Sequence, residues 1–374
     1  MNVVIIIPAI DPDGKLKNLV DELRSRGFTR FIVVDDGSGA ESEELFADLE
    51  LDGAHVLHHA VNLGKGAALK TGLSAVRTLF PEAAHVVTVD ADGQHLPKDV
   101  ERVARAAEGS HDHVVIGTRD LQDRNVPLRS RIGNAFSSIY FKLDTGLGCP
   151  DTQTGLRAIP VSLLSFALSV PGMRYEYEMN FLTAVAKRSI PLVMVPISAV
   201  YMDGNAGSHF STMRDSLRIF DQFFRFTGNS IVCAVVDLLI FALISSALNL
   251  QTAVLVTLAT VVARLASGVL NFGLNRGFSF QDLGSGSGDV RTQGVRYTML
   301  FLVQMCASAL LVVALSIMPL PLVMVKAFVD GSLFVLSYFV QRNWVFKRDT
   351  HMQAVRAKGG KRGEVKSKKT YSAI

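Results

Sequence analysis

The first half of the chain alternates short apolar runs with amphipathic segments of helical periodicity. Continuous apolar runs at Val3–Pro8 and Phe31–Val34 are typical of buried parallel strands. Between them, residues 16–26 place their leucines and a valine on one helical face, and Gly27 follows as an end signal. Strands that alternate with helices at this spacing predict an α/β fold with a doubly wound, mainly parallel sheet of the Rossmann type.

From residue 228 the pattern changes to long apolar stretches, each near the ~20 residues that a bilayer requires. They predict four transmembrane helices, at Ser230–Leu248, Thr252–Phe272, Tyr297–Ile317 and Leu320–Val340. The preceding segment, Met213–Phe226, sets arginines beside phenylalanines at helical spacing, which favours a helix at the lipid interface over an ordinary packing helix. We therefore predict an α/β domain (1–210), an interfacial helix (211–227), a four-helix membrane domain (228–347) and a disordered basic tail (348–374).

Charge along the chain predicts the topology. The loop Asn275–Arg296 and the tail are rich in arginine or lysine, whereas the other connections between the apolar stretches carry no charge. By the positive-inside rule, both charged segments and the α/β domain lie in the cytoplasm. The N-terminus enters a strand without a basic flank or cleavage site, so no signal peptide is expected. The sequence thus predicts a multi-pass protein of the bacterial cytoplasmic membrane.

The membrane half contains an internal repeat. Residues 270–280 match residues 336–346, which implies two helical hairpins in the same orientation. In this register Arg264 aligns with Asp330. Because ionisable residues within membrane spans are costly, we expect Arg264 and Asp330 to face the bundle interior, together with Lys326 and Asp237. A purely structural ion pair is the alternative to a functional role.

Composition narrows the classes of function. Hydrophobic residues make up 49% of the chain, the mean hydropathy is +0.29 and the net charge is only +4. The three cysteines are widely spaced, without a CxxC or Cys/His pattern, which argues against a zinc site or a disulfide framework. We expect no nucleic-acid partner and leave a homo-oligomer open.

The candidate chemistry centres on residues 86–97, Val-Val-Thr-Val-Asp-Ala-Asp-Gly-Gln-His-Leu-Pro. A strand-forming run leads directly into Asp90 and Asp92, and alternate residues of an extended segment point the same way. With the amide of Gln94 they form a set of hard oxygen ligands suited to Mg²⁺ or Mn²⁺ shared with a diphosphate. The alternative is an acidic turn that merely ends a strand.

Two further loops extend this candidate site. Asp35 and Asp36 end the second strand, where acidic residues commonly bind a base or ribose, although a helix cap is the alternative for Asp36. The stretch Asn62–Ala68 combines two glycines and Lys65 just ahead of a helix predicted over residues 67–79, which suits phosphate binding at the helix start. In order, the loops predict Asp36 for the base, Lys65 for phosphate and the 90–94 turn for the metal.

These loops resemble family 2 glycosyltransferases of the GT-A fold, in particular the dolichyl-phosphate mannose synthase-like branch that uses polyprenyl-phosphate acceptors. The resemblance covers nearly all of residues 1–225 and rests on motifs at 8–9, 35–38, 62–68, 90–95, 117–119, 129–134 and 151–157. It implies that the nucleotide is bound by Pro8, Ala9, Asp35, Asp36, Lys65, Asp90, Ala91 and Asp92. Residues 10–13, Ile-Asp-Pro-Asp, depart from the family pattern, which puts base contacts from that loop in doubt.

A phosphate acceptor needs a cationic clamp, for which arginine is well suited. The resemblance assigns it to Arg131 and its neighbours, and we include Arg119, Arg129, Arg157 and His209. It makes Asp151 the candidate for a general base or for orienting the acceptor, with Asp90 the other catalytic candidate. A phosphate monoester is largely ionised at neutral pH, so positioning can replace a strong base. Glu176 and Glu178 lie near the sugar and acceptor by resemblance, or act as first-turn acids of a helix.

Residues 222–347 resemble the GtrA family of four-helix proteins associated with lipid-linked sugars, through an Asn-Arg…Phe signature. Together the resemblances imply inverting transfer of a sugar from a nucleotide diphosphate sugar to polyprenyl (undecaprenyl) phosphate, for cell-envelope glycosylation. One alternative is a processive polysaccharide synthase, but residues 341–344, Gln-Arg-Asn-Trp, are not the Gln-x-x-Arg-Trp motif of such enzymes. Another is a lipid-linked-sugar transporter or scaffold with a non-catalytic α/β domain, against which the intact aspartates argue.

Overall fold

A computed structural model describes residues 2–109, 112–121, 126–199, 220–248, 253–281, 289–315 and 322–346 of the 374-residue chain. The chain divides into two compact units, Met1–Ile219 and Phe220–Ile374. The start of the predicted interfacial helix, His209 and the basic tail lie outside the described residues, so these assignments stay predictions.

The first unit is built on a seven-stranded sheet in the order β3-β2-β1-β4-β6-β5-β7. Strand β6 pairs antiparallel with β4 and β5, and the other pairings are parallel. The strands are β1 (Val3–Ala9), β2 (Phe31–Asp35), β3 (His55–His58), β4 (His85–Thr88), β5 (Val114–Arg119), β6 (Arg157–Pro160) and β7 (Leu192–Ile197). The predicted mainly parallel, Rossmann-like α/β sheet is confirmed.

Helices cover both faces of this sheet. They are α1 (Gly14–Ser25), α2 (Glu43–Leu51), α3 (Lys65–Leu79), α4 (Pro97–Ala107), α5 (Leu128–Thr145), α6 (Leu164–Ser169) and α7 (Glu176–Lys187). One hydrophobic core joins the sheet to α1, α2 and α4, and a second joins it to α3, α5, α6 and α7. Strands β1 and β2 are buried throughout because side chains on both of their faces enter these cores.

The topology brings four chain segments to one edge of the sheet. Strands β1, β2, β4 and β5 run parallel, so their carboxyl ends share this edge, where ligands bind in open α/β sheets. Because β6 runs the opposite way, its first residue, Arg157, lies level with Thr88 near the end of β4. The loop before β6 therefore reaches the same edge as Asp90 and Arg119.

The second unit contains four long helices, as the apolar stretches predicted. They are α8 (Asp221–Leu248), α9 (Ala253–Leu274), α10 (Val290–Leu315) and α11 (Leu322–Val340). Within the described part of the chain, the segment Asp221–Ile244 is long and apolar enough to span a membrane by length and composition.

The predicted repeat has a structural counterpart. Helices α9 and α11 each end in a π-helical turn, Asn275–Ser279 and Gln341–Val345, at equivalent repeat positions. Asn275 donates to the Gln341 side-chain oxygen at 3.0 Å, and Asn229 of α8 donates to Ser279 at 2.9 Å. Since buried amides need partners, the bond from Asn275 to Gln341 ties the two halves of the repeat together at equivalent positions, and the bond from Asn229 ties α8 to the end of α9 within the first half.

The predicted interior position of the membrane charges is wrong for two of them. The Arg264 side chain is 65% exposed, and its Nε lies 3.7 Å from Asp237, which is largely covered. Asp330 is exposed on α11 and accepts a hydrogen bond from Ser308 at 2.6 Å. The side chain of Lys326 is outside the described set. The repeat register correctly aligned positions along the helices, but helix packing decides which way each position faces.

Candidate active site

The turn after β4 is held by a neutral histidine. The backbone N–H of Asp90 donates to Nδ1 of His95 at 3.1 Å, so the proton of this ring sits on Nε2. Burial lowers the pKa of His95 and outweighs the attraction of Asp90 and Asp92, in keeping with a neutral ring. The Gln94 backbone N–H donates to Asp92 at 3.0 Å and closes the turn. The sequence motif included His95 but did not predict this role.

Lys65 bridges two carboxylates from distant parts of the chain. Its Nζ lies 2.7 Å from Asp90 Oδ1 and 3.0 Å from Glu178 Oε2, and 5.7 Å from the Tyr175 ring centroid. Burial by itself lowers the pKa of Lys65, but the two carboxylates outweigh it and raise the pKa above its usual value. Glu178 therefore belongs to this cluster, whereas Glu176 accepts from the backbone N–H groups of Met173 and Arg174 at the start of α7.

The loop before α3 is filled by protein where the sequence predicted phosphate. A Cβ on Gly66 would lie 2.6 Å from Tyr177 and 2.8 Å from the Arg174 carbonyl oxygen. The Ala67 N–H donates to the Met173 carbonyl at 2.8 Å, so residues 173–177 cover this helix start. The glycines thus allow the start of α3 to pack closely against residues 173–177. Because the Ala67 N–H already donates to a carbonyl oxygen, it is not available to bind phosphate as the sequence predicted. A phosphate contact from Lys65 stays a prediction.

Asp36 has a structural role in a loop and does not cap the helix after β2, so the alternative of a helix cap is wrong. It is 4% exposed and accepts from the backbone N–H groups of Leu63 and Gly64, at 3.0 and 2.8 Å. His59 Nδ1 lies 2.8 Å from the same carboxylate. Asp36 therefore shapes the loop ahead of α3, and its contact with a base stays a prediction.

The loops after β1 and β2 are tied together beside the buried Pro8 and Ala9. Asp11, where the chain departs from the family pattern, adopts φ +42°. Its N–H donates to Ser38 Oγ at 2.9 Å, and its carboxylate accepts from Gly39 N–H at 2.8 Å. Asp35 accepts from Ser38 N–H at 2.8 Å; burial raises the pKa of Asp35, but bonds from Ser38 and His58 outweigh this and lower it.

The structure pairs Asp151 with Arg119. Its side chain is fully buried and binds Arg119 through two bonds, 2.7 Å from Nε to Oδ2 and 3.1 Å from Nη2 to Oδ1. Gln153 N–H donates to the same carboxylate at 3.2 Å. Asp151 is therefore placed to orient Arg119, which the sequence did not predict, and its role as a general base or in orienting the acceptor stays a prediction.

The structure brings only some of the arginines of the predicted phosphate clamp to the candidate site. Arg157 is buried at the start of β6, where it donates to the carbonyl oxygens of Thr154 and Glu178 at 3.1 and 2.6 Å. Its guanidinium therefore joins the loop before β6 to α7. Arg131 donates to the Val126 carbonyl at 3.1 Å, and Arg129 is exposed. Arg119 remains a candidate for the clamp, and its charge contributes to lowering the pKa of Asp90.

The aspartate pair has the charge pattern that a divalent cation relieves. Burial raises the pKa of Asp90, but the positive charge of Lys65, with a smaller contribution from Arg119, outweighs it and holds the value at about 2. Burial and the charge of Asp90 raise the pKa of Asp92. Over the described ranges no three His, Cys, Asp or Glu side chains cluster as a metal site. The two carboxylates and the Gln94 amide are hard oxygen donors, which suit a hard cation that also takes oxygens from a ligand.

Gly155 is expected to be essential for the position of Asp90. Thr88 Oγ1 donates to the Gly155 carbonyl at 2.7 Å, and a Cβ at this position would lie 2.5 Å from Asp90 Oδ2. Gly155→Ala should displace this carboxylate and lower the turnover of the reaction proposed below about 100-fold, as misplaced catalytic groups do. Gly148→Ala, where nothing lies within 4 Å of the added Cβ, is the matched control. Equal activity of the two variants would contradict this prediction.

Comparison with known proteins identifies both halves of the chain. Residues 4–164 match the model of glycosyl transferase family 2, and residues 214–346 match that of the GtrA/DPMS transmembrane domain. The UDP-N-acetylglucosamine–dolichyl-phosphate N-acetylglucosaminyltransferase of Methanococcus voltae is 30% identical over 219 residues, 54% of this chain and 86% of that protein. The polyprenol monophosphomannose synthase of Mycolicibacterium smegmatis is 29% identical over 206 residues, 52% and 76% of the two chains.

A solved structure is more distant. Glucosyl-3-phosphoglycerate synthase from Mycobacterium tuberculosis, crystallised with Mn²⁺, UDP and phosphoglyceric acid, is 20% identical with a TM-score of 0.45. The alignment covers 60% of this chain and 76% of that one. The family match and the relative of 30% identity decide the assignment: the chain is a membrane protein of glycosyl transferase family 2, in which a GtrA/DPMS transmembrane domain follows the glycosyltransferase domain.

Proposed function

We propose that the protein transfers a sugar from a nucleoside diphosphate sugar to polyprenyl phosphate, with inversion at the sugar carbon, at the cytoplasmic face of the membrane. The two relatives named above act, by their names, on dolichyl phosphate and polyprenol phosphate. The transmembrane domain accounts for access to a lipid acceptor. Nucleotide sugars are made in the cytoplasm, which agrees with the topology predicted from the basic loops.

This proposal rests on one observation: an aspartate–lysine cluster and an arginine–aspartate ion pair lie at the same edge of the sheet. Asp90 and Asp92 supply carboxylates for a cation and diphosphate, and Lys65 binds Asp90 directly. Arg119, held in a two-bond ion pair by Asp151, offers a guanidinium on the same edge. A donor diphosphate and an acceptor phosphate would therefore be bound side by side, as a transfer between them requires.

The metal would be Mg²⁺ or Mn²⁺, held by Asp92, Asp90 and Gln94. When bound, it stabilises the negative charge of the departing nucleoside diphosphate. The acceptor phosphate is mostly ionised at neutral pH, since its second pKa is about 6, and it needs no proton acceptor. Arg119, with Arg129 and Arg131 as predicted partners, orients that phosphate for attack on the far side of the sugar carbon, which inverts its configuration.

The proposal is tested in membranes from cells that express the full chain. A panel of radiolabelled UDP- and GDP-sugars is supplied with undecaprenyl phosphate, with and without EDTA. We expect one donor to yield a lipid-linked sugar that mild acid cleaves, and EDTA to abolish its formation. Long polymer as the product would support the processive alternative, and the absence of any product would support the transporter or scaffold alternative.

The variant Asp92→Asn tests the proposed metal ligand in the same assay. The amide keeps the shape of the side chain but removes a charged metal ligand, so we expect product formation to fall about 100-fold or more, the scale seen when one electrostatic partner is removed. Asp48→Asn changes an exposed aspartate on α2 and should leave the rate unchanged. Equal rates in the two variants would contradict the role of Asp92.

A further inference from the structure

The ammonium of Lys65 is bound to one of the proposed metal ligands. Its Nζ lies 2.7 Å from Asp90 Oδ1 and 3.0 Å from Glu178 Oε2. The three side chains are only 11–24% exposed, so water and salt screen these charges weakly. Although burial alone would lower the pKa of Lys65, its two carboxylate partners raise it, so the side chain is a cation at neutral pH. A divalent cation at Asp90 would therefore meet a cation that the protein itself supplies.

The carboxylate of Asp90 is confined by the backbone around it. A Cβ on Gly155 would lie 2.5 Å from Oδ2 and 2.6 Å from Oδ1 of this side chain. The backbone N–H of Asp90 is fixed as well, since it donates to His95 at 3.1 Å. The carboxylate thus has little room to turn away from Lys65. A metal ion bound to it would lie beside the ammonium, and like charges repel strongly where little water separates them.

The backbone of Lys65 is fixed, whereas its side chain can move. Residues 173–177 pack closely against Gly64 and Gly66, the two neighbours of Lys65 in the chain. The lysine side chain itself is a flexible carbon chain that ends in a point charge, and its ammonium donates in several directions. The ammonium can therefore shift from one nearby acceptor to another without any movement of α3.

Glu178 is an acceptor whose position does not depend on the metal ligands. Its carbonyl oxygen accepts from Arg157 Nη1 at 2.6 Å, and the neighbouring Tyr177 is buried in the domain core. These contacts fix the first turn of α7, so the carboxylate stays within reach of Lys65 whatever binds Asp90. Across the described ranges it forms no three-residue metal cluster with the aspartates. Glu178 is therefore placed to hold the ammonium rather than the metal.

We propose that Lys65 opposes the binding of a divalent cation at Asp90 until a nucleoside diphosphate binds, and that Glu178 holds the ammonium when it leaves Asp90. A cation alone must separate Lys65 from Asp90. A cation that binds together with a diphosphate brings new acceptors for the ammonium, so a bond to phosphate replaces the lost ion pair. Lys65 thus couples the binding of the two ligands. This coupling rests on the proposed function, whereas the competition between Lys65 and the metal does not.

Binding of Mn²⁺ to the purified full chain in detergent tests the proposal without a measurement of turnover. The electron paramagnetic resonance signal of free Mn²⁺ gives the dissociation constant, alone and with UDP or GDP. For the unmodified protein we expect the nucleotide that binds to tighten Mn²⁺ binding about 50-fold, within the usual range of coupling between two ligands. Asp92→Asn identifies the part of the signal that belongs to this site.

Lys65→Met removes the competing ammonium. Mn²⁺ alone should then bind about tenfold more tightly, and the tightening by nucleotide should shrink about tenfold, because no ammonium is left to transfer. The control Arg77→Met, at an exposed position on α3, should change neither quantity. Unchanged binding of Mn²⁺ alone in Lys65→Met would overturn the competition. Tighter binding with undiminished tightening by nucleotide would overturn the transfer, since Lys65 would then only add positive charge to both states.

Glu178→Gln is the complementary variant, because it keeps the bond between Lys65 and Asp90. The displaced ammonium then has no carboxylate to move to, so Mn²⁺ alone should bind about tenfold more weakly, while the tightening by nucleotide should be at least as large as in the unmodified protein. Unchanged affinity for Mn²⁺ alone would overturn the role of Glu178. Circular dichroism checks that each variant is folded, and Glu178→Gln decides if Lys65→Met is not. If neither UDP nor GDP binds, the proposed function fails, whereas the measurements with Mn²⁺ alone still decide the competition.

Discussion

Replacing Lys65 with methionine is expected to lower the stability of the glycosyltransferase domain by about 3 kcal/mol, the lower end for breaking a buried ion pair, since these side chains keep some exposure. The substitution leaves Asp90 and Glu178 facing each other without the cation between them. For a domain of this size the apparent unfolding temperature should fall by about 6–12 °C. Thermal unfolding of the purified protein in detergent measures it.

The same cluster offers an internal control and a rescue. Arg77→Met removes a positive charge from an exposed position on α3 and should shift unfolding little. Adding Glu178→Gln to Lys65→Met removes one of the two stranded carboxylates, so it should recover part of the lost stability. An unfolding temperature for Lys65→Met as high as that for Arg77→Met would mean that the bridge does not stabilise the domain.

Replacing Asp151 with asparagine is expected to lower kcat about 10–100-fold, the usual effect of removing a residue that orients a functional group. The amide cannot hold Arg119 through two charge-assisted bonds, so the guanidinium loses its fixed orientation. An aspartate that only positions Arg119 takes up no proton from the substrate, so on this interpretation the pH profile of kcat should keep its shape. Transfer rates measured from pH 5 to 9 test both points.

A matched variant separates this positioning role from a general loss of stability. Asp144→Asn also removes a buried aspartate paired with a cation, in this case Lys187, but at a site away from Arg119. It should lower the unfolding temperature and leave kcat unchanged. A pH profile that loses its acidic limb in Asp151→Asn, and in no other variant, would instead support Asp151 as a general base.

The sequence predicted the central strands β1, β2 and β4 well because they are buried on both faces. Runs such as Val3–Pro8 are apolar throughout, and a continuous apolar run between turn signals has few other solutions in a chain of alternating strands and helices. The predicted helix at 67–79 begins two residues earlier, at Lys65, because Gly64 adopts φ +106° and ends the preceding loop there. Boundaries of this kind depend on caps and turns rather than on hydrophobic period.

The sequence predicted the residues of the candidate site that lie close together in the chain and missed the contacts between distant segments. Asp90, Asp92 and Gln94 are close in the chain, so one local pattern identified them as a possible ligand set. Glu178 joins Lys65 across more than a hundred residues of sequence, and no local pattern links the two. The contacts of Gly155 with Asp90 and of Asp151 with Arg119 depend on the reversed direction of β6, which the sequence did not predict.

By itself, the sequence determined the fold class, the division into a glycosyltransferase half and a membrane half, and the repeat in the latter. All three follow from the hydrophobic periodicity and from local motifs, each of which involves residues close together in the chain. The tertiary structure alone decided which polar side chains are buried together and which face outward. It paired Asp151 with Arg119, joined Lys65 to Glu178, and exposed Arg264. Burial and partner choice depend on chain segments far apart in sequence, so only packing can settle them.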